Sequence, residues 1–321
     1  MSRWRDGLGP LSERNFRLLI FGQGASYVGD GMVPVAISFA VLDLTGSVAD
    51  IGFVFAARLV PLACFLLIGG VAADRFPRRT VMVLADVVRF VGQGALATLL
   101  LSGQARMWHV LVLQAVHGAA SAFFMPAVTG LVPQTVRAER LQQANAVRWA
   151  AFSSGNVLGP AAAGILVATA GSGTAIAVDA ATFAVSAGFL LALRLPAQTA
   201  GHRQSVLGDL AAGWREFIAR RWLIAANVIA ALGNALVIAP FLVAGPAMAE
   251  AALSGAEAWA LIAAAFGGGS IVGGLIAMRV RTRRPMLVGL TLVALHAIPA
   301  GLLALRAPAA LVAVGALRVP N

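Results

Sequence analysis

The chain has 321 residues, 60% of them hydrophobic and only 12% charged. A soluble domain carries about 25% charged residues, so a soluble globular protein is excluded, and the repeated apolar runs call for an α-helical membrane protein. The net charge of +11 is carried by 24 basic residues, all of them arginine, and these lie in short segments between apolar runs rather than on one soluble face, which excludes a nucleic-acid partner. The exclusive use of arginine fits a GC-rich, bacterial genome. Cys64 is the single cysteine, so an intrachain disulfide is impossible, and its place in an apolar run predicts a packing role.

In chain order, apolar runs predict spans at about 17–42, 51–73, 80–101, 107–132, 145–170, 174–194, 222–245, 257–279 and 285–305. Each has the ~20 residues needed to cross a ~30 Å hydrocarbon layer. The first run is too long for a cleaved signal peptide and leads into a multi-span pattern. A tenth run, Ala307 to Leu317, is too short to span and ends in Arg-Val-Pro-Asn. With the N-terminus inside, the inner segments hold 19 arginines, Arg148 counted among them, and the outer loops only Arg106 and Arg306. Such asymmetry over short loops sets orientation, with the N-terminus cytoplasmic. The inner stretch 195–221 carries Leu207, Leu210, Ala211, Trp214, Phe217 and Ile218 at helical spacing, with Asp209, Arg215, Glu216 and Arg220 between them. That pattern predicts an amphipathic helix on the inner membrane surface. It divides an N-terminal six-helix bundle, 1–194, from a C-terminal bundle, 222–321. A weak repeat supports the division: Gly69-Gly70-Val-Ala-Ala-Asp-Arg75 closes the second span and Gly273-Gly274-Leu-Ile-Ala-Met-Arg279 the eighth.

Between the second and third spans stands Gly70-Val-Ala-Ala-Asp74-Arg75-Phe-Pro77-Arg78-Arg79. It resembles the loop signature of the major facilitator superfamily, Gly-x-x-x-Asp-Arg-x-Gly-Arg-Arg, with Pro77 in place of the second Gly. The resemblance implies a gating latch on the inner face, packing against a helix of the opposite half when the inner gate is closed. In it Asp74 caps a helix N-terminus, and Arg75, Arg78 and Arg79 pair with acids and anionic lipid. The alternative is a plain basic loop that only holds orientation. On the fifth span, Gly155-Asn-Val-Leu-Gly159-Pro160-Ala-Ala-Ala163-Gly164 resembles the antiporter motif of the same family. Gly155 and Gly159 form a small-xxx-small face for close helix approach, and Pro160 removes a backbone hydrogen bond and bends the helix; ordinary close packing is the alternative. Together with Gly29-Asp30, Phe123-Phe-Met-Pro126, Leu131-Val-Pro133 and Leu141-Gln-Gln-Ala-Asn145, these stretches resemble the exporter branch that includes enterobactin exporters and macrolide-efflux proteins.

Polar groups within the spans are the next pointers, because a charge at a helix centre costs about 2.5–3.5 kcal/mol on insertion scales. Asp30 and Arg58 lie at similar depth on neighbouring spans, where a pair can form, and Asp86 and Arg89 are three residues apart on one helix. Either Asp30 takes up and releases a proton as a movement separates it from its arginine, since a nearby cation favours the carboxylate and desolvation the acid, or the pair is static. His117 falls in Gln114-Ala-Val-His117-Gly118, where the family carries Arg-x-x-Gln-Gly, so the arginine that the resemblance ties to proton coupling is absent. His117 either titrates in its place or makes an interhelical hydrogen bond. Asn156, Asn234 and His296 fall near mid-depth as candidate cavity-lining residues. The four scattered histidines and single cysteine make no metal-ligand cluster, and no P-loop, nucleophile elbow or catalytic dyad is present.

The expectation is an all-α membrane protein of the bacterial plasma membrane with the major facilitator fold. It would be a monomer without cofactor or metal, not an enzyme, that exports small amphipathic molecules, drug or siderophore-like, by alternating access driven by inward proton flow. The alternatives are a facilitated importer and a non-transporting scaffold or truncated fragment. The resemblance implies twelve helices, so the chain is expected to be C-terminally incomplete and not to transport alone.

Overall fold

The computed structural model describes residues 9–195 and 206–233. The seventh to ninth spans beyond residue 233, the tenth run, the repeat at 273–279, Asn234 and His296 lie outside the described residues. The chain divides into two compact units, Met1–Leu210 and Ala211–Asn321.

A 3-10 turn, Gly9–Ser12, leads into α1 (Arg14–Thr45), α2 (Val48–Arg75), α3 (Arg78–Leu101), α4 (Met107–Leu131), α5 (Leu141–Ala170) and α6 (Ser172–Leu191). All six are long and apolar enough to cross a membrane. They coincide with the first six predicted spans and overrun several of them by up to a turn, because hydropathy stops at the first charge whereas a helix stops at its cap. Gly46 ends α1 in the left-handed region (φ 66°), where glycine has no steric penalty. Ser47 then caps α2, its side chain accepting from the Asp50 backbone N–H, and Gly171 (φ 82°) separates α5 from α6.

Chain neighbours are not the main packing partners. α1 lies along α5 and α6, α2 along α4, and α3 along α4 and α6, while α2 makes little contact with α1 or α3. Closest approach falls at small residues. A Cβ on Gly159 would stand 2.6 Å from the Gly31 backbone, and one on Gly155 would stand 2.6 Å from that of Tyr27, so α1 and α5 meet backbone to backbone. On the α2–α4 side, Gly118 faces the Arg58 carbonyl and Gly69 the Ala122 carbonyl with no room for a methyl group. Two apolar cores result. One gathers Phe16, Leu19, Met82, Leu131 and Leu190, and the other Met32, Ile37, Leu96, Val110 and Ile176. Arg79 and Arg194 lie beside the first core and the α3–α4 loop beside the second, and the two are separated by a buried polar layer: Asp86, Arg89, Gln93, Gln114, His117 and Asp179.

Among the described residues, Gly164 and Gly70 have open space where a Cβ would stand, whereas Gly69 lies against the Ala122 carbonyl and Ala163 is fully buried. Two details of the sequence reading are corrected. Cys64 is exposed on α2 rather than packed inside. Arg148, counted with the inner loops, stands two turns inside α5.

The predicted amphipathic segment contains α7, Val206–Ala219, on which Trp214 and Ile218 are exposed and Trp214 stacks on Phe217 at 5.8 Å. Arg221–Gly233 forms a further helix, α8.

Candidate functional site

The polar layer converges on Asp30, at the middle of α1. Its carboxylate accepts from Arg58 Nη2 on α2 at 2.9 Å. Arg89 Nη1 on α3 lies 3.7 Å from its second oxygen, and His117 Nε2 on α4 lies 3.4 Å from the first. Four helices therefore meet at one carboxylate. The close contacts that admit no side chain bring them there: with Gly118 lying on the Arg58 carbonyl, α2 and α4 touch at the level of the ion pair.

Arg89, 3% exposed, is held more tightly than its pairing with Asp86 three residues earlier would require. Its guanidinium is sandwiched between the Phe124 and Phe183 rings, 4.2 and 4.4 Å from their centroids, a favourable use of two π faces for a desolvated cation. Behind it runs an amide chain. Gln114 donates to Gln93 at 3.1 Å, and Gln93 donates to Asp179 at 2.6 Å. Asp179 is fully buried, and its other oxygen has no hydrogen-bond partner. His117 Nε2 faces the Asp30 carboxylate across helices at 3.4 Å, and its Nδ1 has no hydrogen-bond partner. Its ring stands edge-on to Phe183.

Asp30, Arg58 and Arg89 line a cavity of about 500 Å³, within the usual range for a small-molecule site. It is walled by α1 (Gln23, Ser26, Tyr27), α4 (Ser121, Phe124, Met125) and α5 (Arg148, Trp149, Phe152, Asn156). Asn156 is among the lining residues, its amide donating back to the Phe152 carbonyl. Sequence reasoning missed Gln23, Tyr27, Gln93 and Arg148. The signal for Arg148 was available, since the fifth span begins before it.

The latch motif lies at the opposite end of the layer from the α3–α4 loop. Asp74, with its side chain 76% exposed, pairs with Arg78 at 3.4 Å and caps no helix N-terminus among the described residues. Arg78 donates to the Gly130 carbonyl at the end of α4, and Arg79 to the Leu191 carbonyl at the end of α6 and the Leu193 carbonyl just beyond it. Arg78 and Arg79 thus cap helix C-termini, where carbonyls lack intrahelical partners and the dipole favours a cation. Arg14 donates to the same region at Ala192, and Asn15 exchanges two hydrogen bonds with Arg194.

Six membrane-length helices, five of them lining a charged cavity, define a multi-pass helical membrane protein. Its family follows from sequence comparison: a model of the Major Facilitator Superfamily matches residues 19–318, and the chain belongs to that superfamily of transporters. It is not an enzyme. It is 32% identical over 208 residues to the multidrug efflux pump Tap of Mycolicibacterium fortuitum, covering 62% of this chain and 51% of that protein. Against the Tap pump of Mycobacterium tuberculosis H37Rv it is 28% identical over 210 residues, 64% of this chain and 50% of the relative. Macrolide efflux protein A of Streptococcus pyogenes is 23% identical over 175 residues, 54% of this chain and 43% of the relative. The chain spans about half the length of these curated relatives.

Proposed function

We propose that the protein is a proton-coupled exporter of small amphipathic molecules working by alternating access, with Asp30 as the proton carrier. In this reading residues 1–194 form the N-terminal six-helix half, 195–221 a linker on the cytoplasmic surface and 222–321 part of the second half. The N-terminus is cytoplasmic, the membrane is the bacterial plasma membrane and the unit is a monomer. The observation that carries the reading is the engagement of Asp30 by Arg58, Arg89 and His117 at the edge of a drug-sized cavity. The efflux activity named for the relatives supports the direction.

The geometry supplies a way to couple the two movements. Asp30 is on α1 and its closest partner is on α2, and these two helices share few contacts. A rocking motion that keeps α1 on α5 and α2 on α4 separates Asp30 from Arg58 without disrupting either glycine-rich contact. The carboxylate, having lost a cation in a low-dielectric site, then takes a proton. Re-forming the pair on return releases it. Alternating exposure of a central site by two halves is the mechanism expected of the superfamily.

The test is an Asp30→Asn variant in inverted vesicles from cells expressing the full genomic reading frame. Uphill accumulation of a panel of amphipathic dyes under an imposed proton gradient is expected for the unaltered protein. The variant should lose uphill accumulation and keep downhill exchange. A variant that still pumps uphill would remove Asp30 from the coupling role.

A further inference from the structure

The cavity is asymmetric in charge, and the asymmetry assigns a ligand class. Three guanidinium groups line it, those of Arg58, Arg89 and Arg148. Arg58 is paired with Asp30, and Arg89 with Asp86 and Asp30. Among the described residues, no carboxylate lies within ion-pair distance of Arg148; its guanidinium hydrogen-bonds the Tyr27 hydroxyl, and its buried Nε–H has no hydrogen-bond partner. A guanidinium inside a membrane helix whose charge is answered only by a neutral phenol is costly. Its planar fork of donors fits a carboxylate or sulfonate better than any other partner.

The wall beside Arg148 is aromatic. Tyr27 meets Phe152 edge-on with centroids 5.3 Å apart, and Trp149 lies 5.1 Å from Phe152. A ring seated there would place an attached acidic group within reach of Arg148. A cationic ligand would face three guanidiniums and find the nearby carboxylate of Asp30 already occupied by two of them.

We propose that Arg148 and the Tyr27–Phe152–Trp149 wall form a subsite for the acidic group and ring of an amphipathic aromatic anion. The proposal rests on the reading of this cavity as the substrate site, and it names the substrate class.

The test is equilibrium binding to the protein in lipid nanodiscs without any ion gradient, with empty nanodiscs subtracted. Two xanthene dyes of similar shape serve as probes: fluorescein, an anion, and rhodamine 6G, a cation. Saturable fluorescein binding at least tenfold tighter than rhodamine binding is expected. Arg148→Gln should weaken fluorescein about tenfold and leave rhodamine unchanged or tighter, while Arg148→Lys, which keeps the charge, should recover part of the loss and controls for folding. Rhodamine binding as tight as fluorescein, or fluorescein binding unaffected by Arg148→Gln, would overturn the subsite. A failed proton-coupling test leaves this preference intact, because no gradient enters the binding measurement, so the two proposals fail separately.

Discussion

At the residue scale, the glycines of α5 are unequal, and the inequality is testable. A methyl group at Gly159 would stand 2.6 Å from the Gly31 backbone, and backbone cannot rotate away as a side chain can. Gly159→Ala must push α1 and α5 apart, at a cost of about 1–3 kcal/mol typical of overpacking. Gly164→Ala meets open space among the described residues and should change stability by no more than about 0.5 kcal/mol. Thermal unfolding of both variants in detergent separates them; equal shifts would contradict the contact geometry. The sequence made the small-residue spacing of Gly155 and Gly159 legible, since residues four apart share a helix face. It did not reveal which nearby small residue stands at the contact, because that depends on where the partner helix crosses. For that reason it is Gly69 and Ala163, rather than the motif members Gly70 and Gly164, that are packed tightly. The Asp30–Arg58 pair was legible from depth alone, whereas the approach of Arg89 and His117 to the same carboxylate depended on packing between helices distant in the chain.

At the element scale, arginines at one end of the bundle do more than mark orientation. Arg79, the second residue of α3, donates to Leu191 at the end of α6 and to Leu193 just beyond it, at 2.7 and 3.0 Å. These are charge-assisted bonds to carbonyls with no helical partner, and such bonds contribute about 1.5–3 kcal/mol. Arg79→Ala should let the last turn of α6 fray. Hydrogen exchange followed by mass spectrometry should then show amides near 188–193 exchanging at least tenfold faster, with the α4 end, held by Arg78 at Gly130, little changed. Uniform acceleration of both helix ends would mean that Arg79 does not act locally. The motif's arginines were visible in the sequence as basic residues; their partners were not, since a backbone carbonyl leaves no signature in residue identity. The six helices themselves were legible because each apolar run is long, and their ends shifted because caps such as Gly46 and Ser47 lie beyond the hydropathy boundary.

At the scale of the whole molecule, the charged cavity and the arginine-bound helix ends impose one direction on the bundle. The ends of α2, α4 and α6 share the side that holds Arg78, Arg79 and Arg194, while the α3–α4 loop on the other side carries Arg106. If the basic side faces the cytoplasm, as the bias of arginine over the short loops requires, the α4–α5 connection is inside and the α3–α4 loop outside. Two positions on those connections are exposed, Ala138 and Ser102, and the chain's single cysteine can be removed as Cys64→Ala. In that background, Ser102→Cys should react with a membrane-impermeant maleimide added to intact cells. Ala138→Cys should react only after the membrane is opened. The reverse pattern would invert the orientation and put Arg78, Arg79 and Arg194 on the outer side of the membrane.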